Sequence, residues 1–140
     1  MDPRVKAAIE AAVVQEPFAR SMGIQLQKLE DGFSRVEMTF DPARQNNIYR
    51  RAHGGAVFGL IDEAFETAAQ TDGTVAVAMN VNVTYIASPE PGARLWAEAR
   101  RVAQTKRTAS YDIKVGNADG QLIAVCQALA FRTGKPIPFL

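Results

Sequence analysis

The chain has one cysteine and one histidine in 140 residues. Cys126 therefore cannot close a disulfide within the chain, and no Cys/His cluster offers a metal site. The thiol sits in the apolar run "LIAVCQALAF", where it reads as a small core group. A basic excess is missing too: Lys+Arg 16 face Asp+Glu 15, which argues against a dedicated nucleic-acid binder. No apolar run approaches the ~20 residues needed to span a bilayer. The start, "MDPRVKAAIE", lacks the apolar core of a signal peptide. A reducing, cytoplasmic setting is expected, with neither membrane nor nucleic acid as a partner. Repeats, low-complexity tracts and linkers are also lacking, so residues 1–140 read as a single domain.

What is present is ordinary globular material, 47% apolar and 22% charged, enough for a real core. Asp2 before Pro3 predicts an N-cap and a first helical residue, opening a helix over about 3–16. "GIQLQKLEDGFSRVEMTF" alternates on both sides of Asp31-Gly32 and predicts a hairpin. A loop with Asn46 and Asn47 leads to "AHGGAVFGLIDEAFETAAQ". There Val57, Leu60, Ile61, Ala64, Phe65 and Ala68 recur at the i, i+3, i+4 spacing of a buried stripe. That spacing predicts a central helix over about 54–71. Everything after it reads as strand: "VAVAMNVNVTYI", "RLWAEARRVA", "TASYDIKVG" and "QLIAVCQALAFRT", taken as a four-strand meander. In the first of these, Val75, Val77, Met79, Val81, Val83 and Tyr85 should share one face. Ala76, Ala78, Asn80, Asn82 and Thr84 should share the other. Two strands, a long helix and four strands make an α+β protein, with a sheet of about six strands curled around one helix.

Such a helix should be apolar on most of its surface, so Asp62 needs a reason. Seven residues advance about two turns, which puts Gly55 and Asp62 on one face but ~10 Å apart along the axis. Gly55 lies in the first turn, where N–H groups are unpaired and the dipole favours negative charge. It is a plausible oxyanion donor for an acyl carbonyl. A donor and a carboxylate that far apart cannot serve one carbonyl. If both act in one reaction, the carboxylate must come from a second copy of the chain.

"HGGAVFGLIDEAF" resembles the signature of the hotdog-fold acyl-CoA thioesterases, and within them the phenylacetate-pathway thioesterase group. The resemblance extends over "MGIQLQKLEDGFSRVEMTF" and over the closing strands from Asn82 to Arg132. It implies the hotdog fold, with hydrolysis of an acyl-CoA thioester to free acid and CoA. By position it makes Asp62 the general base or nucleophile and gives the Gly55 N–H the oxyanion role. Asn47, six residues before His53, would position the thioester or the attacking water, and His53 would orient this loop. Gly54, Glu66, Ala78 and Asn80 are expected around the substrate. Coenzyme A enters as part of the substrate, and no separate cofactor is expected. The family's habit implies a homodimer at minimum and a homotetramer as a dimer of dimers. Two residues depart from the pattern. Ala78 stands where several relatives have Ser or Thr, and Glu66 stands where relatives often have Thr or Ala. Two carboxylates at i, i+4 would repel and raise at least one pKa.

Plainer readings stand beside these. A lone Asp on a helix is usually solvated or paired with Lys or Arg. Glu63 and Glu66 read as ordinary helix charges. Arg50-Arg51, Arg100-Arg101 and Lys106-Arg107 are either surface charges or holders of the CoA phosphates. Trp96 and Phe139 would line a pocket or simply pack. Two other functions use the same fold. A dehydratase or hydratase is disfavoured by the spacing from His to Asp. A non-catalytic acyl-CoA sensor usually carries a DNA-binding segment, which the short N-terminal helix does not resemble.

Overall fold

A computed structural model describes residues 1–140. Three short helices frame the first hairpin: α1 (Pro3–Gln15), α2 (Pro17–Met22) and α3 (Pro42–Gln45). The long helix is α4 (Gly54–Ala69). The strands are β1 (Gln25–Glu30), β2 (Phe33–Thr39), β3 (Thr74–Tyr85), β4 (Arg94–Gln104), β5 (Thr108–Asn117) and β6 (Leu122–Pro136). They form one antiparallel sheet in the order β1-β2-β4-β5-β6-β3. No helix is long and apolar enough to cross a membrane.

The Asp31-Gly32 hairpin forms as read, with Gly32 at φ 64. The four-strand meander does not. Strand β3 pairs with β6 at the far edge, and β4 pairs with β2. The segment "SPEPGA" turns at Pro91-Gly92, where the Ala93 N–H meets the Glu90 carbonyl at 3.0 Å, within a connection that carries the chain from one edge of the sheet to its middle. Its two prolines lack the N–H needed to join a ladder. The N-terminal helix forms over nearly the expected span, and a separate helix follows it. Glu16 leaves helical conformation at φ −66, ψ 123, and Pro17 starts α2 in the first-turn position it favours. Helix α2 places Phe18 over α4, where a Cβ on Gly59 would lie 2.8 Å from the ring.

The sheet wraps α4 because its inner face is built from small residues. Ala97, Ala99, Ala109, Ala124, Ala128 and Ala130 are all buried there, so the backbone comes close. Larger groups from the helix fill the space. Leu60, Ile61 and Phe65 are 0–2% exposed, each contributing about 1.5–3 kcal/mol of burial. Phe65 meets Tyr111 edge-on at 5.3 Å. Cys126 is a buried core residue, its thiol pushed up to about 11 chiefly by lost solvation.

Strand β3 carries an irregularity that moves the site. Ala78 pairs with Ala130 but Asn80 pairs with Leu129, so Met79 is an extra residue. A bulge of this kind reverses which side chains face inward. Ala76 and Ala78 share the inner face with Ala130, whereas Asn80, Asn82 and Thr84 lie on the outer one. The expected single face from Ala76 to Thr84 is therefore wrong. Asn80, expected around the substrate, does not line the pocket that Ala76 and Ala78 wall.

Candidate functional site

The site grows from the start of α4. His53 is its N-cap, in extended conformation, and its Nδ1 accepts the Gly55 N–H at 2.8 Å. That bond leaves the ring proton on Nε2 when the imidazole is neutral. It also explains Gly55, since a Cβ there would lie 3.0 Å from His53 Nδ1. Gly54 has a different reason. Tyr85, at the end of β3, packs with its ring carbon 3.3 Å from where a Cβ would be, and donates its hydroxyl to the Gly54 carbonyl at 3.1 Å. Tyr85 is a site residue that strand periodicity could not assign, because the contact depends on β3 passing the helix start.

The loop before the helix is held by Asn47. Its side-chain oxygen accepts the N–H groups of Tyr49 at 2.9 Å and Arg51 at 3.1 Å. This turn fixes Arg50 at φ 60. Arg50 and Arg51 are both exposed at the helix start and enter no ion pair. Arg101, by contrast, is tied to Asp31 at 2.6 Å, and Arg100 lies 4.6 Å over the Phe33 ring. Trp96 packs on Gly116 and donates to the Asn117 carbonyl at 3.2 Å, so it serves packing rather than a pocket.

Asp62 lies two turns along α4 from Gly55. It is half-buried and takes part in no hydrogen bond or ion pair within its own chain. Lost solvation holds its carboxyl above the usual value. It faces a cavity of about 240 Å³ whose other walls are Phe65, Glu66, Ala69, Ala76, Val77, Ala78 and Ala130. The structure thus brings Asp62, Glu66 and Ala78 together on one pocket. Gly54, Gly55, His53 and Asn47 gather separately at the helix start. Within one chain the two groups do not meet.

The acid next to Asp62 contradicts its reading as an ordinary helix charge. Glu63 is 2% exposed and its Oε1 has no hydrogen-bond partner. Burial first, and then the neighbouring Glu16, push its carboxyl up to about 8. Glu66 is raised in the same direction by burial, Glu16 and Asp62. A carboxylate oxygen from each of Glu16, Glu63 and Glu66 lies within 4.8 Å of the others. Charges at that spacing repel by about 3 kcal/mol at an effective dielectric near 20. Glu16 is 47 residues from Glu63 in the chain, so only the packing of α1 and α2 on α4 reveals the cluster.

Strand β3 is an edge of the sheet, so one side of its backbone is unpaired. Val77, Met79 and Tyr85 are 50–59% exposed along it. An edge of this length is a template for another chain. It runs beside Asp62, since Ala76, Val77 and Ala78 belong to both the strand and the pocket.

Residues 49–124 match the family model described as "Thioesterase superfamily". The acyl-coenzyme A thioesterase PaaI of Escherichia coli is 32% identical over 119 residues, covering 85% of this chain and 84% of that protein. The structure of the E. coli PaaI protein from the phenylacetic acid degradation operon superposes with a TM-score of 0.90. That match has 29% identity and covers 95% of this chain and 96% of the other. A Streptococcus mutans protein solved with acetyl-CoA bound gives a TM-score of 0.77 at 27% identity, covering 81% and 91%.

Proposed function

The chain belongs to the thioesterase superfamily and has its hotdog fold, and from that premise we propose that it hydrolyses acyl-CoA thioesters at a site shared by two copies of the chain. The observation that carries this reading is Asp62. It is a carboxylate without a partner in its own chain, held above its usual pKa, at an apolar pocket beside an unpaired strand edge. Pairing of two β3 edges about a two-fold axis brings a second α4 alongside the first. Antiparallel, the helices set Gly55 of one copy beside Asp62 of the other. Stacking two such dimers would give the tetramer that the family resemblance implies.

The chemistry follows from that placement. The acyl group enters the pocket floored by Ala76, Ala78 and Ala130, and its thioester carbonyl points at the start of the other copy's helix. Asp62 either removes a proton from water as it attacks the carbonyl carbon, or attacks directly to form an anhydride that water then opens. Charge accumulates on the carbonyl oxygen, where the Gly55 N–H and the positive end of α4 stabilise it. The carbon–sulfur bond then breaks, and the CoA thiolate leaves. Because His53 Nδ1 already takes the Gly55 N–H at 2.8 Å, substrate competes with His53 for that donor. Arg50 and Arg51, free of ion pairs beside the helix start, are placed to meet the CoA phosphates.

The test is a panel of acyl-CoA thioesters assayed for thiol release, with Asp62→Ala beside the parent. Loss of hydrolysis with retained acyl-CoA binding supports the enzyme. A parent protein that binds every thioester and releases no thiol from any would instead establish a sensor.

A further inference from the structure

The Glu16–Glu63–Glu66 cluster shares only Glu66 with the acyl pocket, and nothing in the proposed hydrolysis uses Glu16 or Glu63. Its geometry asks for a positive partner. Glu63 is 2% exposed, yet its Oε1 is buried without any hydrogen bond. Glu16 sits at the N-cap of α2, where its side chain makes no capping bond; it is instead turned toward Glu63 and Glu66. None of the three joins any ion pair of the chain. The other charge acting on the group is Asp62, which is also negative. A buried carboxylate among like charges is costly unless something neutralises it.

Next to the cluster lies a cavity of about 360 Å³, with Glu16 and Glu66 on its wall. Gln15, Thr67 and Gln70 also border it, so every polar side chain there presents oxygen. Oxygen-only donors suit hard cations, whereas zinc and copper prefer the nitrogen and sulfur ligands missing here. The three carboxylate oxygens lie within 4.8 Å of one another, so one ion can reach all three. Calcium takes about six to eight oxygens in flexible geometry, whereas magnesium demands a near-ideal octahedron and keeps its waters, so a cluster drawn from the α1–α2 junction and α4 suits calcium better.

We propose that Glu16, Glu63 and Glu66 form a binding site for a hard divalent cation such as calcium, clamping the α1–α2 junction onto α4. Waters in the adjoining cavity would complete the coordination shell. The ion's role is structural, and Glu16 and Glu63 do not line the acyl pocket, so the site does not depend on the hydrolytic reading.

Chelator-stripped full-length protein is titrated with calcium chloride and, separately, magnesium chloride at pH 7.5, by calorimetry and thermal melting. One calcium per chain is expected, with a melting temperature about 5 °C higher in 1 mM calcium and weaker binding of magnesium. Binding should release protons, so the heat should depend on the buffer. Glu16→Gln and Glu63→Gln should each abolish binding, while Glu10→Gln, at a surface pair with Lys6, should leave it intact. If Glu63→Gln fails to fold, Glu16→Gln at the helix junction decides alone. Absence of saturable binding up to ~10 mM calcium overturns the proposal and identifies a proton shared among the carboxyls. Binding that survives Glu16→Gln overturns it as well.

Discussion

In a chelating buffer, Glu63→Gln should abolish a fall in stability with pH that the parent protein shows. Glu63 ionises near 4.5 when the chain is unfolded and stays protonated to about 8 when folded. Between these values the folded state holds a proton that the unfolded state has lost, so stability falls as pH rises and levels off above about 8. The full difference corresponds to about 5 kcal/mol. Solvent reaching the exposed Glu66 beside it raises the effective dielectric, so about half of this, or ~2–3 kcal/mol, is expected. At about 3 °C per kcal/mol for a chain of this size, the parent should lose roughly 6–9 °C between pH 4.5 and 8. Glutamine fills the same space, is neutral in both states, and can donate an N–H to Glu16. The variant should match the parent near pH 4.5 and exceed it at pH 8. Thermal melts at fixed protein concentration measure this, because self-association also shifts melting. If the variant followed the parent's pH curve throughout, Glu63 would not be the buried acid described here.

Asp62→Asn should let Glu66 ionise at lower pH, because Asp62 is one of the charges that raise it; an unmoved Glu66 in a carboxyl NMR titration ends the idea that these acids are coupled. His53→Ala removes the cap of α4 and should cost about 1 kcal/mol of stability, read as a fall of about 3 °C in melting temperature. It should affect kcat far less than Asp62→Ala, and a loss as deep as that variant's would make His53 a catalytic residue. Ala78→Leu should fill part of the 240 Å³ pocket and lower kcat/KM for bulky acyl groups by about tenfold or more. Acetyl-CoA should be spared, and equal losses for both would place the acyl group elsewhere.

Much of the fold could be read from local pattern, because local pattern is where its causes lie. The buried stripe from Val57 to Ala68 is set by helical spacing, and the Asp31-Gly32 turn by glycine's freedom at φ 64. The place of β3 could not be read this way. Its pairing with β6 depends on the crossing connection, not on the composition of either strand. Alternation also assumed an unbroken strand, and one extra residue at Met79 moved Asn80 to the other face. The acyl pocket was half legible. The helix register joins Asp62 to Glu66, but only the sheet brings Ala78 to them. The Glu16 cluster had no signal along the chain, since its members meet through helix packing.

Asp62 and Glu63 show how one helix supports two unrelated environments. Adjacent helical residues are turned ~100° apart, so neighbouring carboxyls can face different partners. Asp62 looks toward the small inner face of β3 and an unpaired strand edge, where it stays half-buried and free. Glu63 looks toward α1 and α2, where burial is nearly complete and the nearby charges are all negative. The first environment suits a carboxylate that must ionise to act, as the proposed hydrolysis requires of Asp62. The second suits an acid that holds a proton or a cation. The two remain electrostatically linked, since Asp62 contributes to the upward shifts of both Glu63 and Glu66. Ionised Asp62 therefore makes Glu63 and Glu66 harder to ionise and strengthens their demand for a proton or a cation.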